Sequence, residues 1–175
     1  STKVQGTGIP ELPKLTSLSL YASPATDEGL AKIGKLTALE QLNLSDTAVG
    51  DSGLAHLKNL TKLYSLELSD TNVAGPGLAN LKGLANLSSL TLNNTAVGNE
   101  ALEPLTELPI LRSLNLSSTA VTDAAVPTLL KMTKLTYLSV SESKMTRAGV
   151  EKLKEAREDL SVSAYFGFDS FDFDN

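Results

Sequence analysis

The chain has 175 residues, 41% of them hydrophobic and 20% charged, with a net charge of −5, which is enough for one or two ordinary globular domains. It has no cysteine, which excludes a disulfide framework and thiolate chemistry and leaves the redox compartment open. No apolar run approaches the roughly 18 residues of a membrane span, and no signal-peptide pattern opens the chain.

Residues 1–11, STKVQGTGIPE, have the form of the end of a turn, with Ile9 in the column of Ile33 and Leu57. The segment reads as an N-terminal cap or as the cut edge of a preceding repeat. Gly6-Thr7-Gly8 has the start of a dinucleotide fingerprint, but no third glycine and no strand-then-helix context follow. A loop is the reading.

From Leu12 one frame recurs at constant spacing, at Leu36, Leu60, Leu84, Leu108 and Met132, giving six turns in one register over residues 12–156. In the second turn Leu36, Leu39, Leu42 and Leu44 are apolar, with Gln41, Asn43 and Ser45 between and beside the last two. Alternation of this kind marks a strand with one buried face. Thr47 and Val49 then turn the chain. Asp51 stands where a helix N-cap is expected, ahead of a short helix whose apolar side carries Leu54 and Leu57. The same cap column reads Asp27, Asp51, Gly75, Asn99 and Asp123, with Pro76 at a first helical position and Thr146 taking over beside Arg147. Two residues further on only Gly29, Gly53, Gly77, Ala101, Ala125 and Gly149 occur, which implies close approach between neighbouring turns. A strand, a turn and a short helix cannot bury an apolar face alone, so the units stack into a solenoid with continuous buried columns such as Leu18, Leu42, Leu66, Leu90, Leu114 and Leu138.

The pattern LxxLxLxxTxVxDxGLxxLxxL resembles the leucine-rich repeat superfamily, in a bacterial-type 24-residue version, from about Leu12 to Ala156. It is also similar to the cysteine-containing subtype found in substrate-recognition proteins, with Thr47, Thr71, Thr95 and Thr119 where that family has Asn or Cys. The resemblance implies an α/β fold: a right-handed solenoid with a parallel β-sheet on the concave face and short helices on the convex face. It implies that the threonine hydroxyls bond the neighbouring loop's backbone. It further implies a non-catalytic protein–protein interaction module that binds a partner through the concave face or its edges. Two other roles stay open: the substrate-recognition arm of a larger assembly, such as a ubiquitin-ligase-type effector, and a glycan-binding solenoid.

Between the buried leucines the strand positions are polar and mostly small, among them Ser45, Ser69, Thr91, Ser117 and Ser139. The residues on this face expected to meet a partner are Tyr21, Gln41, Asn43, Glu67, Asn93, Asn115 and Tyr137. Asp46 and Asp70 lie one turn apart, a spacing that would bring two carboxylates to roughly 5 Å. Sequons such as Asn43-Leu44-Ser45 arise from the repeat spelling and are not expected to carry sugar. Helix positions mix Lys32, Lys58, Lys131 and Lys152 with Glu28, Glu103, Glu107 and Glu151, a solvated surface and not a nucleic-acid footprint. His56 is the single histidine, so no metal site or His-based triad forms around it, and no HExxH, GxSxG or P-loop is present. The chain is therefore expected to be no enzyme, to need no cofactor, and to be a monomer.

The pattern breaks at the end. Residues 157–175 read as a partial seventh repeat, with Leu160 and Val162 repeating the Leu138/Val140 pair two places short of the full frame, followed by an aromatic and acidic cap. All four phenylalanines lie in Phe166–Phe173, and Asp159, Asp169, Asp172 and Asp174 hold 4 of the 20 acidic residues. A docking peptide is the second reading of this tail. Calcium binding is the third, against which stands the lack of the usual loop spacing.

Overall fold

The computed structural model describes residues 14–167. The alternating stretch of each turn becomes a three-residue strand: β1 (Ser17–Ser19), β2 (Gln41–Asn43), β3 (Ser65–Glu67), β4 (Ser89–Thr91), β5 (Ser113–Asn115), β6 (Tyr137–Ser139) and β7 (Ser161–Ser163). The seven strands lie in chain order in one open parallel sheet. Parallel neighbours need a crossover, and here each crossover is the remainder of the turn. The register advances by one full frame per strand, Leu18 opposite Leu42 and Leu42 opposite Leu66, through to Leu138 opposite Val162. β7 therefore keeps the frame of the six turns before it, and the shortened Leu160/Val162 match is not the one used. Val162 takes the Leu138 column, and the Val140 N–H donates to Ser163 O at 2.9 Å.

The return legs are α1 (Asp27–Ile33), α2 (Asp51–Leu54) running on as a 3-10 helix (Ala55–Asn59), 3-10 helices at Pro76–Leu81 and Asn99–Glu107, a 3-10 turn (Asp123–Ala125) leading into α3 (Val126–Lys131), and α4 (Arg147–Ala156). Two middle legs are thus 3-10 throughout. Pro76 opens one and Pro104 lies inside the other, and a proline withdraws an N–H and crowds the carbonyl four residues back. Strands and legs close over one core. Leu42, Leu66, Leu90, Leu114 and Leu138 are fully buried and Leu18 is half-buried, while the turn column Ala25, Val49, Val73, Val97, Val121 and Met145 is buried throughout.

Two polar columns behave differently from expectation. Most legs begin one residue earlier than the sequence suggests, with Thr26, Gly50, Gly98 and Thr122 as N-caps, so Asp27, Asp51, Asn99 and Asp123 are first helical residues, while Thr146 caps the last helix as expected. Their side chains reach to the next turn instead. Asp27 accepts the Gly50 N–H at 2.7 Å, Asp51 accepts from Ala74, Gly75 and Gly77, Asn99 accepts from Thr122, and Asp123 accepts the N–H and hydroxyl of Thr146. The Thr146 hydroxyl, with its N–H, holds the Asp123 carboxyl below the usual carboxylate range. Thr146 also caps its own helix by accepting the Gly149 N–H.

The buried threonines, in turn, donate to their own strand and not to a neighbouring loop: Thr47 to Leu44 O, Thr71 to Leu68 O, Thr95 to Leu92 O and Thr119 to Leu116 O, at 2.6–2.7 Å. A hydroxyl is too short to do the work of a longer amide, and it turns the chain locally. Just before this column the backbone is left-handed in every turn, at Ala22, Asp46, Asp70, Asn94, Ser118 and Glu142, with φ of 51–56°. Each of these N–H groups donates to the carbonyl of the strand-face residue one turn on, Asp46 to Ser69 O and Asp70 to Asn93 O for instance, which extends the ladder past the strand ends.

Candidate functional site on the strand face

Alternate strand positions point away from the core. They bring the expected residues onto one surface: Gln41 and Asn43 in β2, Glu67 in β3, Asn115 in β5, Tyr137 in β6, with Tyr21 and Asn93 two residues past β1 and β4. The register sets Asn43 directly beside Glu67. Asn43 Nδ2 donates to Glu67 Oε2 at 2.6 Å, while its Oδ1 accepts the Ser45 N–H at 2.8 Å. Gln41 Nε2 donates to the Tyr64 hydroxyl, and its Oε1 accepts from Ser17 at 3.3 Å. Further along, Ser69 donates to Asn93 Oδ1 at 2.7 Å, Asn115 accepts the Ser117 N–H at 3.0 Å, and the Ser117 and Ser139 hydroxyls meet at 2.8 Å.

The middle of the face is thus a polar ladder that satisfies itself from turn to turn. Asn93 and Asn115 are half-buried within it, whereas Tyr21, Gln41, Glu67 and Tyr137 are exposed. Ser45 and Ser139, expected to be exposed, are buried. A serine hydroxyl barely clears the backbone, so little of it reaches solvent. The Ser45 hydroxyl has no hydrogen-bond partner.

Two exposed tyrosines escaped the sequence reading. Tyr64, 39% exposed, precedes β3 at a position that strict alternation assigns to the core side, yet its hydroxyl reaches Gln41 on the strand face. Its signal is that its column, Thr16, Glu40, Tyr64, Ser88, Arg112 and Thr136, is polar in all the other turns. Tyr165, 49% exposed, falls in the column of Tyr21, six turns later. Asn94 Nδ2 from the following turn bonds Asp70 Oδ1, and Asp46 and Asp70 both sit on left-handed backbone at the rim.

A groove of about 220 Å³ opens on this face between Ser17, Ser19, Gln41, Asn43, Ser65 and Glu67. A larger one, about 770 Å³, lies on the flank over Gly75, Gly98 and Ala101, and Glu100 is the one ionisable side chain in its lining. His56 is exposed on the helix side. Among the described residues no group of three or more His, Cys, Asp or Glu is placed to hold a metal, and no helix is long and apolar enough to cross a membrane. Asp169, Asp172 and Asp174 lie outside the described residues, as does the segment 1–11.

A family model described as leucine-rich repeat matches residues 35–58, a stretch that spans the second turn. The other turns repeat that frame in one sheet and one core, so the leucine-rich repeat pattern matched in the second turn runs along the described sheet. Among solved structures it is similar to an internalin (inlF) from Listeria monocytogenes, with a TM-score of 0.66 and 22% identity over 90% of this chain and 49% of that one. It is also similar to an internalin C2 (inlC2) from the same organism, with a TM-score of 0.53 and 24% identity over 85% of this chain and 80% of that one. The chain therefore spans about half the length of the first, and at these identities what is shared is the fold. No curated protein matches the chain.

Proposed function

We propose that the chain is a non-catalytic protein-binding module that meets its partner on the concave strand face and its edges, through Tyr21, Gln41, Asn43, Glu67, Asn93, Asn115 and Tyr137. The observation that carries this reading is the exposure of Tyr21, Tyr64 and Tyr137, at 63%, 39% and 43%, on a face whose other side chains are small and polar. Tyrosines supply large contact area at little entropic cost and recur where interfaces draw their energy. The face is about 30 Å long and about 15 Å wide from strand spacing and rise per residue. That falls short of the roughly 800 Å² that each partner contributes to a stable interface, so the rims must join in. Phe166 packs against the core under the Arg147 guanidinium, 5.0 Å from its ring, which supports a capping role for the start of the aromatic tail.

Affinity capture from a source lysate, with Tyr21→Ala, Glu67→Ala and Tyr137→Ala beside the unchanged chain, tests the assignment. At least one tyrosine variant is expected to lose most of the captured partner. A partner held equally by all three variants would move recognition off this face.

A further inference from the structure

The outward strand positions and the left-handed residues that follow them carry charge of one sign, while the opposite rim, ahead of the strands, holds exposed Lys62 and Arg112. At the strand-face positions and the left-handed residues that follow them, the charged side chains are Glu67, Asp46, Asp70 and Glu142. None of the chain's 15 basic residues falls at these places. The helix side differs. There Glu107 meets Lys82 at 2.7 Å, Glu103 meets Lys131 at 2.8 Å and Asp159 meets Arg157 at 2.6 Å. On the strand side uncharged groups donate to the carboxylates: Asn43 to Glu67, Asn94 to Asp70 and Ser118 to Glu142. Such donors fix the direction of a carboxylate without cancelling its charge.

Three of the four carboxylates, Asp46, Glu67 and Asp70, belong to turns two and three. Glu67 lines the groove of about 220 Å³, and Tyr64 stands in the same turn with its hydroxyl held over Gln41. Tyr21 is exposed in the first turn. An open, grooved sheet face with carboxylates, exposed aromatic rings and no base at its outward positions is complementary to a cation on a flexible stem, which gains both from the carboxylates and from the faces of the rings.

We infer that the first three turns of the concave face take a basic, extended protein segment, with one lysine or arginine in the groove against Glu67 and others against Asp46 and Asp70. This rests on the concave-face reading above and adds the chemistry of the partner. It also accounts for the use of the rim, since Asp46 and Asp70 widen the surface beyond the strands.

The test measures fluorescence anisotropy of a labelled peptide of alternating arginine and glycine with the full chain, in low salt and in about 0.5 M salt, beside a glutamate–glycine peptide. The face variant is D46N/E67Q/D70N, in which asparagine suits the left-handed backbone at both aspartates. The control is E100Q/E151Q/E155Q, which removes the same charge from the helix side; melting curves accompany both. The arginine peptide is expected to bind in low salt and to weaken in high salt, and the glutamate peptide to stay free. The face variant should lose about tenfold or more, at roughly two- to fivefold per exposed pair, and the control little. Equal binding to both variants, or none to the unchanged chain, overturns the inference. If the peptide fails while Tyr21→Ala still loses a captured partner, the cationic chemistry falls and the concave-face reading stands. If every tyrosine variant also keeps its partner, both fall.

Discussion

Asp27, Asp51 and Asp123 each have a glycine two places past their own column in the next turn, at Gly53, Gly77 and Gly149, whereas Gly75 and Asn99 have Ala101 and Ala125 there. The structure explains the pairing. A Cβ on Gly53 would stand 2.5 Å from Asp27 Oδ1, one on Gly77 2.6 Å from the Asp51 backbone, and one on Gly149 would collide with Asp123. Small residues in this column were legible as close approach, but what approaches was not. The aspartates read as caps of their own helices because a cap is a local pattern, while the bonds they make reach into the following turn. In the third turn Gly75 leaves the rung out, and its φ of +128° suits glycine. Gly75→Asp alone should cost about 1–3 kcal/mol, from strained backbone and a clash with Ala101. Made together with Ala101→Gly, it should cost at least about 1 kcal/mol less than the two changes summed. Denaturant unfolding of the four proteins checks this, and additive costs would mean that the two positions do not meet.

At the scale of elements, the strands were the most legible part, because Leu or Val fills the central inward position of all seven strands and a slip of one residue would turn that set to solvent. Leu90, at the centre of its column and 1% exposed, tests the packing. Leu90→Ala should lower stability by about 2–5 kcal/mol, and a melting curve unchanged from the parent would contradict the register. The return legs were less legible. Apolar spacing marks Leu78 and Leu102 as buried in either helix type, and only Pro76 and Pro104 hint at the tighter one. The left-handed column was hidden because it is filled by Ala22, Ser118 and Glu142 as well as by Asp46, Asp70 and Asn94, so residue preference alone does not mark it. On the strand face, alternation marked Tyr21, Glu67 and Tyr137 as outward, and all three are exposed. It missed Tyr64, whose side chain turns over the strand edge, and it overstated Ser45 and Ser139, whose short side chains barely clear the backbone.

Over the whole molecule each turn touches only its neighbours, so stability is nearly a sum of turns and junctions. The junction between the third and fourth turns lacks an aspartate rung, and the larger flank groove opens there over Gly75 and Gly98. One surface of this stack is a continuous sheet face with exposed tyrosines and only acidic charge at its outward strand positions, and the other is a row of short legs with paired charges. The central claim is that recognition belongs to the first. Site-specific photo-crosslinking tests it most directly, with a photoreactive phenylalanine analogue at Thr91 on the strand face or at Lys58 on the helix side, each exposed to the same source lysate. A partner crosslinked from position 91 and not from position 58 is the predicted result; a partner crosslinked from position 58 alone would contradict the account.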